Sequence, residues 1–153
     1  MAMAIAIALH TLAAVIWVGG MFFAYVALRP VAARVLPPPQ RLPLWAGTLG
    51  HFFLWVWISV ATLLVTGYFM LFGVFGGFAG AGIHVHLMHL IGLVMMLIYA
   101  HVYFAGYRRL QRHSEAGELE PAGRALGQIR KLVGVNLILG LLTVVIGSAG
   151  RYL

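Results

Sequence analysis

The sequence predicts an all-α fold: an integral membrane four-helix bundle running up-down-up-down. Three observations predict it. Only 8% of residues are charged and 63% are hydrophobic, with a mean hydropathy of +0.99, whereas about a quarter of a soluble domain is charged. A bilayer crossing takes roughly 20 apolar residues as helix, and four stretches qualify, at about 3–28, 44–72, 81–107 and 131–150. The basic residues fall between those stretches rather than inside them, the pattern of loops held on the cytoplasmic side.

The first stretch opens MAMAIAIALH, without a basic leader, and runs straight into a full-length span. It is read as the first helix and not as a cleaved signal peptide. The connection from Arg29 to Pro43 carries Arg29, Arg34 and Arg41 with the run Pro37-Pro38-Pro39, which ends helix and stiffens the link. The second connection, 76–82, is short, glycine-rich and uncharged. The third, a cytoplasmic loop over 108–130, runs into Lys131; from Arg108 to Lys131 there are six basic residues and three glutamates. Its 115–128 portion has the composition of an interfacial helix. Loops one and three are thus expected in the cytoplasm and both termini outside, in the periplasm. The chain reads as one domain, 1–153, a multi-pass protein of a bacterial inner membrane with the lipid bilayer as its first partner. The net charge of +7 belongs to those loops, and nucleic acid is not an expected partner.

Composition also excludes chemistries. There is no cysteine, which removes disulfides, c-type haem attachment, iron–sulfur clusters and thiolate metal sites. There is no Asp, and Glu115, Glu118 and Glu120 all fall in the third loop. A carboxylate pair cannot act within the membrane.

Imidazoles remain. Four of the seven histidines, His84, His86, His89 and His101, lie in the segment from Gly82 to Arg109, and an ionisable group inside a span is costly unless it has a partner. A helix rises 1.5 Å per residue, which sorts the histidines by depth into two layers. The outer layer is His10, His84, His86 and His89; the inner layer is His51 and His101. His113 reads as a solvated loop residue.

Two imidazoles on facing helices at one depth can ligate a haem iron from both sides. The predicted inner pair is His51 with His101, and the outer pair is His10 with His86 or His89, with His89 preferred by depth. His89 and His101 stand roughly 18 Å apart along the axis, a separation that suits one or two stacked b-type haems passing electrons. Gly19, Gly20, Gly47, Gly50 and Gly92 would let a macrocycle approach. The alternative is copper held by His10, His84, His86 and His89, with Met1 or Met3 adding thioether, since both donors accept Cu(I). Met88, Met95 and Met96 can extend such a path or simply pack.

Trp45 reads as an interface anchor, while Trp17, Trp55 and Trp57 lie deeper, as packing or as cofactor wall. Asn136, the one amide of the fourth span, reads as interhelical glue or, less favoured, as a partner for a cofactor propionate. Arg29, Arg108 and Arg109 suit haem propionates or anionic lipid. Gly134, Gly140 and Gly147 mark a face on which two copies can pair as a homodimer.

The first span reads His10-x6-Trp17-x-Gly19-Gly20-x2-Phe23, then Leu28-Arg29-Pro30. It resembles the opening helix of the CopD-type copper-resistance membrane domain, and of the HemJ-like protoporphyrinogen oxidase family of four-helix proteins. The likeness continues through His84-x-His86 and Tyr107-Arg108-Arg109. The HemJ-like resemblance implies His10 as a haem b ligand, although His86 stands where that family typically has Lys. The CopD-type resemblance implies copper handling at the inner membrane. The leading expectation is therefore a haem b electron-transfer protein, with a haem-dependent oxidoreductase activity left open and a quinol, a porphyrin or a redox protein as its partner. The alternative is CopD-like copper transport or binding.

Overall fold

A computed structural model describes residues 1–152, all of them helical apart from short turns. Four continuous helices, α1 (Ala2–Val35), α2 (Pro38–Phe75), α3 (Ile83–Glu115) and α4 (Leu119–Ala149), are long and apolar enough to cross a bilayer. They overrun the predicted spans mainly at the arginine-rich end. The 29–43 connection is helix on both sides of a break at Leu36 and Pro37. The 108–130 loop is helix too, interrupted only by a turn at 116–118. Charge marks where a helix leaves hydrocarbon; it does not end the helix, because Arg, Gln, Glu and Ala are good helix formers.

Local chemistry explains the interruptions. Pro30 lies inside α1, and the wide π-type turn at Phe23–Leu28 just before it accommodates its missing N–H and the clash with the preceding turn. Pro38 and Pro39 occupy the first turn of α2, where an N–H has no intrahelical acceptor. Gly76 ends α2 at φ 67°, and the Gly77 N–H donates to the Leu71 carbonyl at 3.2 Å, a left-handed stop that glycine adopts without strain. Gly117, at φ 70°, turns α3 into α4. There the Glu118 N–H donates to the His113 carbonyl at 2.9 Å, and the Glu118 carboxylate meets His113 Nδ1 at 2.5 Å. His113 fastens this turn instead of standing free in solvent.

Neighbouring helices pair in opposite senses. His10 meets Thr66 while Gly20 meets Phe52 across α1 and α2. Phe53 and Trp57 of α2 pack edge-to-face on Tyr99 and Tyr103 of α3, and the Tyr99 hydroxyl donates to the Phe53 carbonyl at 2.8 Å. Asn136 of α4 donates to the Met95 carbonyl of α3 at 3.3 Å. The deepest side chains are Val56, Val102, Leu110 and Ile129. Val65, Leu97, Ile138 and Val145 point outward, as a surface bathed in lipid tails permits.

The small residues of α4 serve this bundle. A Cβ at Gly134 would meet the Tyr25 ring, one at Gly140 would meet Val18 and Met95, and one at Gly147 would meet Met88. Much of the stripe on which two copies were expected to pair is thus occupied by the chain's own side chains, while Gly147 stays exposed.

Gly140→Leu should therefore lower stability by about 1–3 kcal/mol through overpacking, read as a shift in the denaturation midpoint in mixed micelles. Gly92→Ala, where an added Cβ meets nothing within 4 Å, should be neutral or raise stability by about 0.5–1 kcal/mol.

Candidate functional site

The outer-layer histidines gather at the end of the bundle where α2 turns into α3. His10 Nδ1 lies 2.9 Å from Thr66 Oγ1, and the Thr66 hydroxyl donates its own proton to the Thr62 carbonyl at 2.6 Å. With that proton committed, Thr66 Oγ1 accepts and His10 Nδ1–H donates. The bare lone pair of His10 is then on Nε2, the arrangement of a ring oriented for a metal or a proton. Gly67 makes room, since a Cβ there would stand 3.3 Å from His10 Cε1.

His86 and His89 share the face of a single ring. The His86 imidazole stacks on Phe78 at 6.0 Å, and His89 meets the same ring edge-on at 5.2 Å. His89 also packs edge-on against Tyr68 at 5.5 Å. Three-residue spacing puts His86 and His89 on one side of α3, and the loop carrying Phe78 folds over that side. His84 turns away, toward Gly82 and Gly150. Met88 Sδ sits against Gly147, and Met3 Cε against Gly73, which puts two thioethers near this end.

These residues share an end but not a single coordination sphere. Thr66 and Tyr68 are two residues apart on α2, hence about 200° apart around its axis. His10 therefore lies on one flank of α2 and His89 on the other. Among the described residues, no group of three or more His, Cys, Asp or Glu is close enough to hold a metal ion.

The inner layer is not assembled either. His51 is exposed, with Nδ1 3.0 Å from the Gly47 carbonyl of its own helix. His101 is also exposed. It lies two residues from both Tyr99 and Tyr103, which face α2, and so emerges on the opposite flank of α3. The haem b expectation draws no support from this arrangement. Two tryptophans sort differently from their expected roles: Trp45 is buried rather than anchored at an interface, and Trp55 is exposed. Trp17 packs as expected, edge-on to Tyr99 at 6.0 Å. Asn136 does join α4 to α3.

Sequence reasoning missed Thr66, Tyr68 and Phe78, the residues that fix the rings. Only Thr66 carried a signal, as a hydroxyl in an apolar span opposite a histidine at equal depth.

A four-helix bundle with imidazoles and thioethers at one end and arginines at the other is a multi-pass membrane protein with a candidate metal-handling face. Residues 46–149 match the family described as copper resistance protein D, CopD. That is more than half of the chain, and the protein belongs to this family. The matched segment begins within α2, so α1 and His10 lie outside it. No curated protein and no solved structure matches the chain. The HemJ-like side of the resemblance gains nothing from these comparisons.

Thr66→Val keeps the side-chain shape and removes only the hydroxyl. Wild-type His10 should show the Nδ1–H tautomer by ¹⁵N NMR, and the variant a mixture of tautomers. An Nε2–H tautomer in the wild type would contradict the hydrogen-bond directions given above.

Proposed function

We propose that the protein handles copper at a bacterial inner membrane, passing Cu(I) through the histidine-bearing end of the bundle. The carrying observation is membership in the copper resistance protein D family over residues 46–149. The donors suit the ion, because imidazole and thioether both accept Cu(I), and the sequence offers no thiolate and no intramembrane carboxylate as a competing donor. His10, through Nε2, His86 and His89 are the first donors on this reading. His84, Met3 and Met88 stand at the same end as further steps.

In this reading the four helices cross up-down-up-down, with the arginine-rich end in the cytoplasm and the histidine-bearing end outside together with both termini. The charge distribution supports that orientation. Copper then meets imidazoles first and arginines last.

Copper accumulation in cells or proteoliposomes carrying single substitutions tests the site. His10→Ala and His89→Ala should each reduce uptake by roughly tenfold or more, since loss of one ligand or its orienting partner typically costs 10–100-fold in metal affinity. His51→Ala and His101→Ala should leave uptake unchanged. Equal losses at His51 or His101 would count against the outer site. Orientation has its own test, helped by the absence of native cysteine. Ala79→Cys should react with a membrane-impermeant maleimide from the periplasmic side, and Ala116→Cys only after the membrane is permeabilised.

A further inference from the structure

The other end of the bundle holds an open-mouthed cavity of about 530 Å³ lined by residues of all four helices. Four guanidinium groups line it, Arg29, Arg41, Arg124 and Arg130, against one carboxylate, Glu120. Arg124 is already paired with Glu120. Arg29 lies over the Tyr25 ring at 4.8 Å, and Arg41 donates to the Ala33 carbonyl at 3.3 Å. Neither interaction neutralises its charge. Arg130 has no acceptor among the described residues. The positive charge at this end is therefore largely uncompensated, and a cation such as copper is the wrong occupant.

Further in, the walls are aromatic and apolar, Trp17 and Trp45 among them. Asn136 also lines the cavity, is 3% exposed, and has the one buried side-chain oxygen without a donor among the described residues, Oδ1. Leaving a buried acceptor unpaired is costly. A plain hydrocarbon chain reaching this depth would leave that cost in place, whereas a hydroxyl would remove it. Along α4, Asn136 is roughly 9 Å from Arg130 and 18 Å from Arg124, the scale of a medium-length chain.

We propose that this cavity binds a single-chain amphiphilic anion. Its carboxylate or phosphate head sits among Arg29, Arg41 and Arg130, its apolar body lies against Trp17 and Trp45, and a hydroxyl at the far end donates to Asn136. The site lies at the opposite end from the histidines and does not rest on the copper reading.

Bromine quenches an indole it touches, so the test uses tryptophan fluorescence of the full chain in nanodiscs of zwitterionic phosphatidylcholine. The probes are 11-bromoundecanoate and the uncharged 11-bromoundecanol. Saturable quenching by the carboxylate but not by the alcohol is expected, with roughly tenfold weaker binding in Arg41→Gln/Arg130→Gln. In competition, 11-hydroxyundecanoate should displace the bromo acid about tenfold better than undecanoate, and Asn136→Leu should abolish that preference. Neither rim substitution removes a partner of the Asn136–Met95 hydrogen bond, so the head-group result stands even if Asn136→Leu does not fold. Lysophosphatidylglycerol, a single-chain lipid phosphate, added to the nanodiscs at a low mole fraction separates the two sources of this chemistry. Loss of quenching identifies a lipid phosphate as the natural head, and unchanged quenching a free amphiphile. Equal, unsaturable quenching by acid and alcohol, or quenching untouched by the rim substitutions, would overturn the proposal.

Discussion

One hydrogen bond sets the register on which the rest of the bundle depends. The Tyr99 hydroxyl reaches across from α3 to the Phe53 carbonyl of α2 at 2.8 Å, in surroundings where a phenol has no water to turn to. Hydrocarbon provides no hydrophobic drive between helices, so packing and interhelical hydrogen bonds hold the bundle together. Around this bond Phe53, Trp57, Tyr99, Tyr103 and Tyr107 interleave edge to face, the geometry aromatic quadrupoles favour. Sliding α3 by one residue would break the bond and every ring contact with it.

That register carries to both ends. α2 is the common partner: Phe53 and Trp57 face α3, while Phe52 and Thr66 face α1. Once α2 and α3 are locked, Tyr68 is set beside His89. Once Phe52 is seated over Gly20, Thr66 is set beside His10. At the opposite end the same two pairings place Trp17, Trp45 and Tyr99 in the walls of the arginine-rimmed cavity. The two ends differ in chemistry, imidazole against guanidinium, yet one aromatic seam spaces both.

The four crossings were legible in the sequence because lipid selects for uninterrupted apolar length, and length is a one-dimensional property. Their ends were not, since α1 and α3 continue as helices past the predicted spans to Val35 and Glu115, and α4 begins at Leu119, well before residue 131. Depth was legible for the same reason as length, and it placed His10 and His89 in one layer correctly enough for Thr66 and Tyr68 to meet them two residues apart. Azimuth was not. A difference of two residues turns a side chain by about 200°, and which flank of α2 faces which neighbour depends on the Tyr99 bond, a contact 46 residues apart in the chain. The neighbours of the α4 glycines were not legible for a related reason. Small residues invite close approach, but the sequence does not say whether Tyr25, Val18 and Met88 or a second copy will accept.

The dispersal of the histidines bears on what kind of copper chemistry the family membership can mean here. A storage or structural site gains from a closed set of ligands, because every added donor deepens the well. An ion in transit has to leave each position, so binding must be strong enough to admit it and weak enough to release it. On the proposed copper reading, His10 on one flank of α2, His86 and His89 under Phe78 on the other, and thioethers nearby would be a series of incomplete sites. Each ring is nonetheless oriented, by Thr66 or by Phe78, so little ordering remains to be done when an ion arrives. Oriented but unshared donors, on this argument, favour passage over retention.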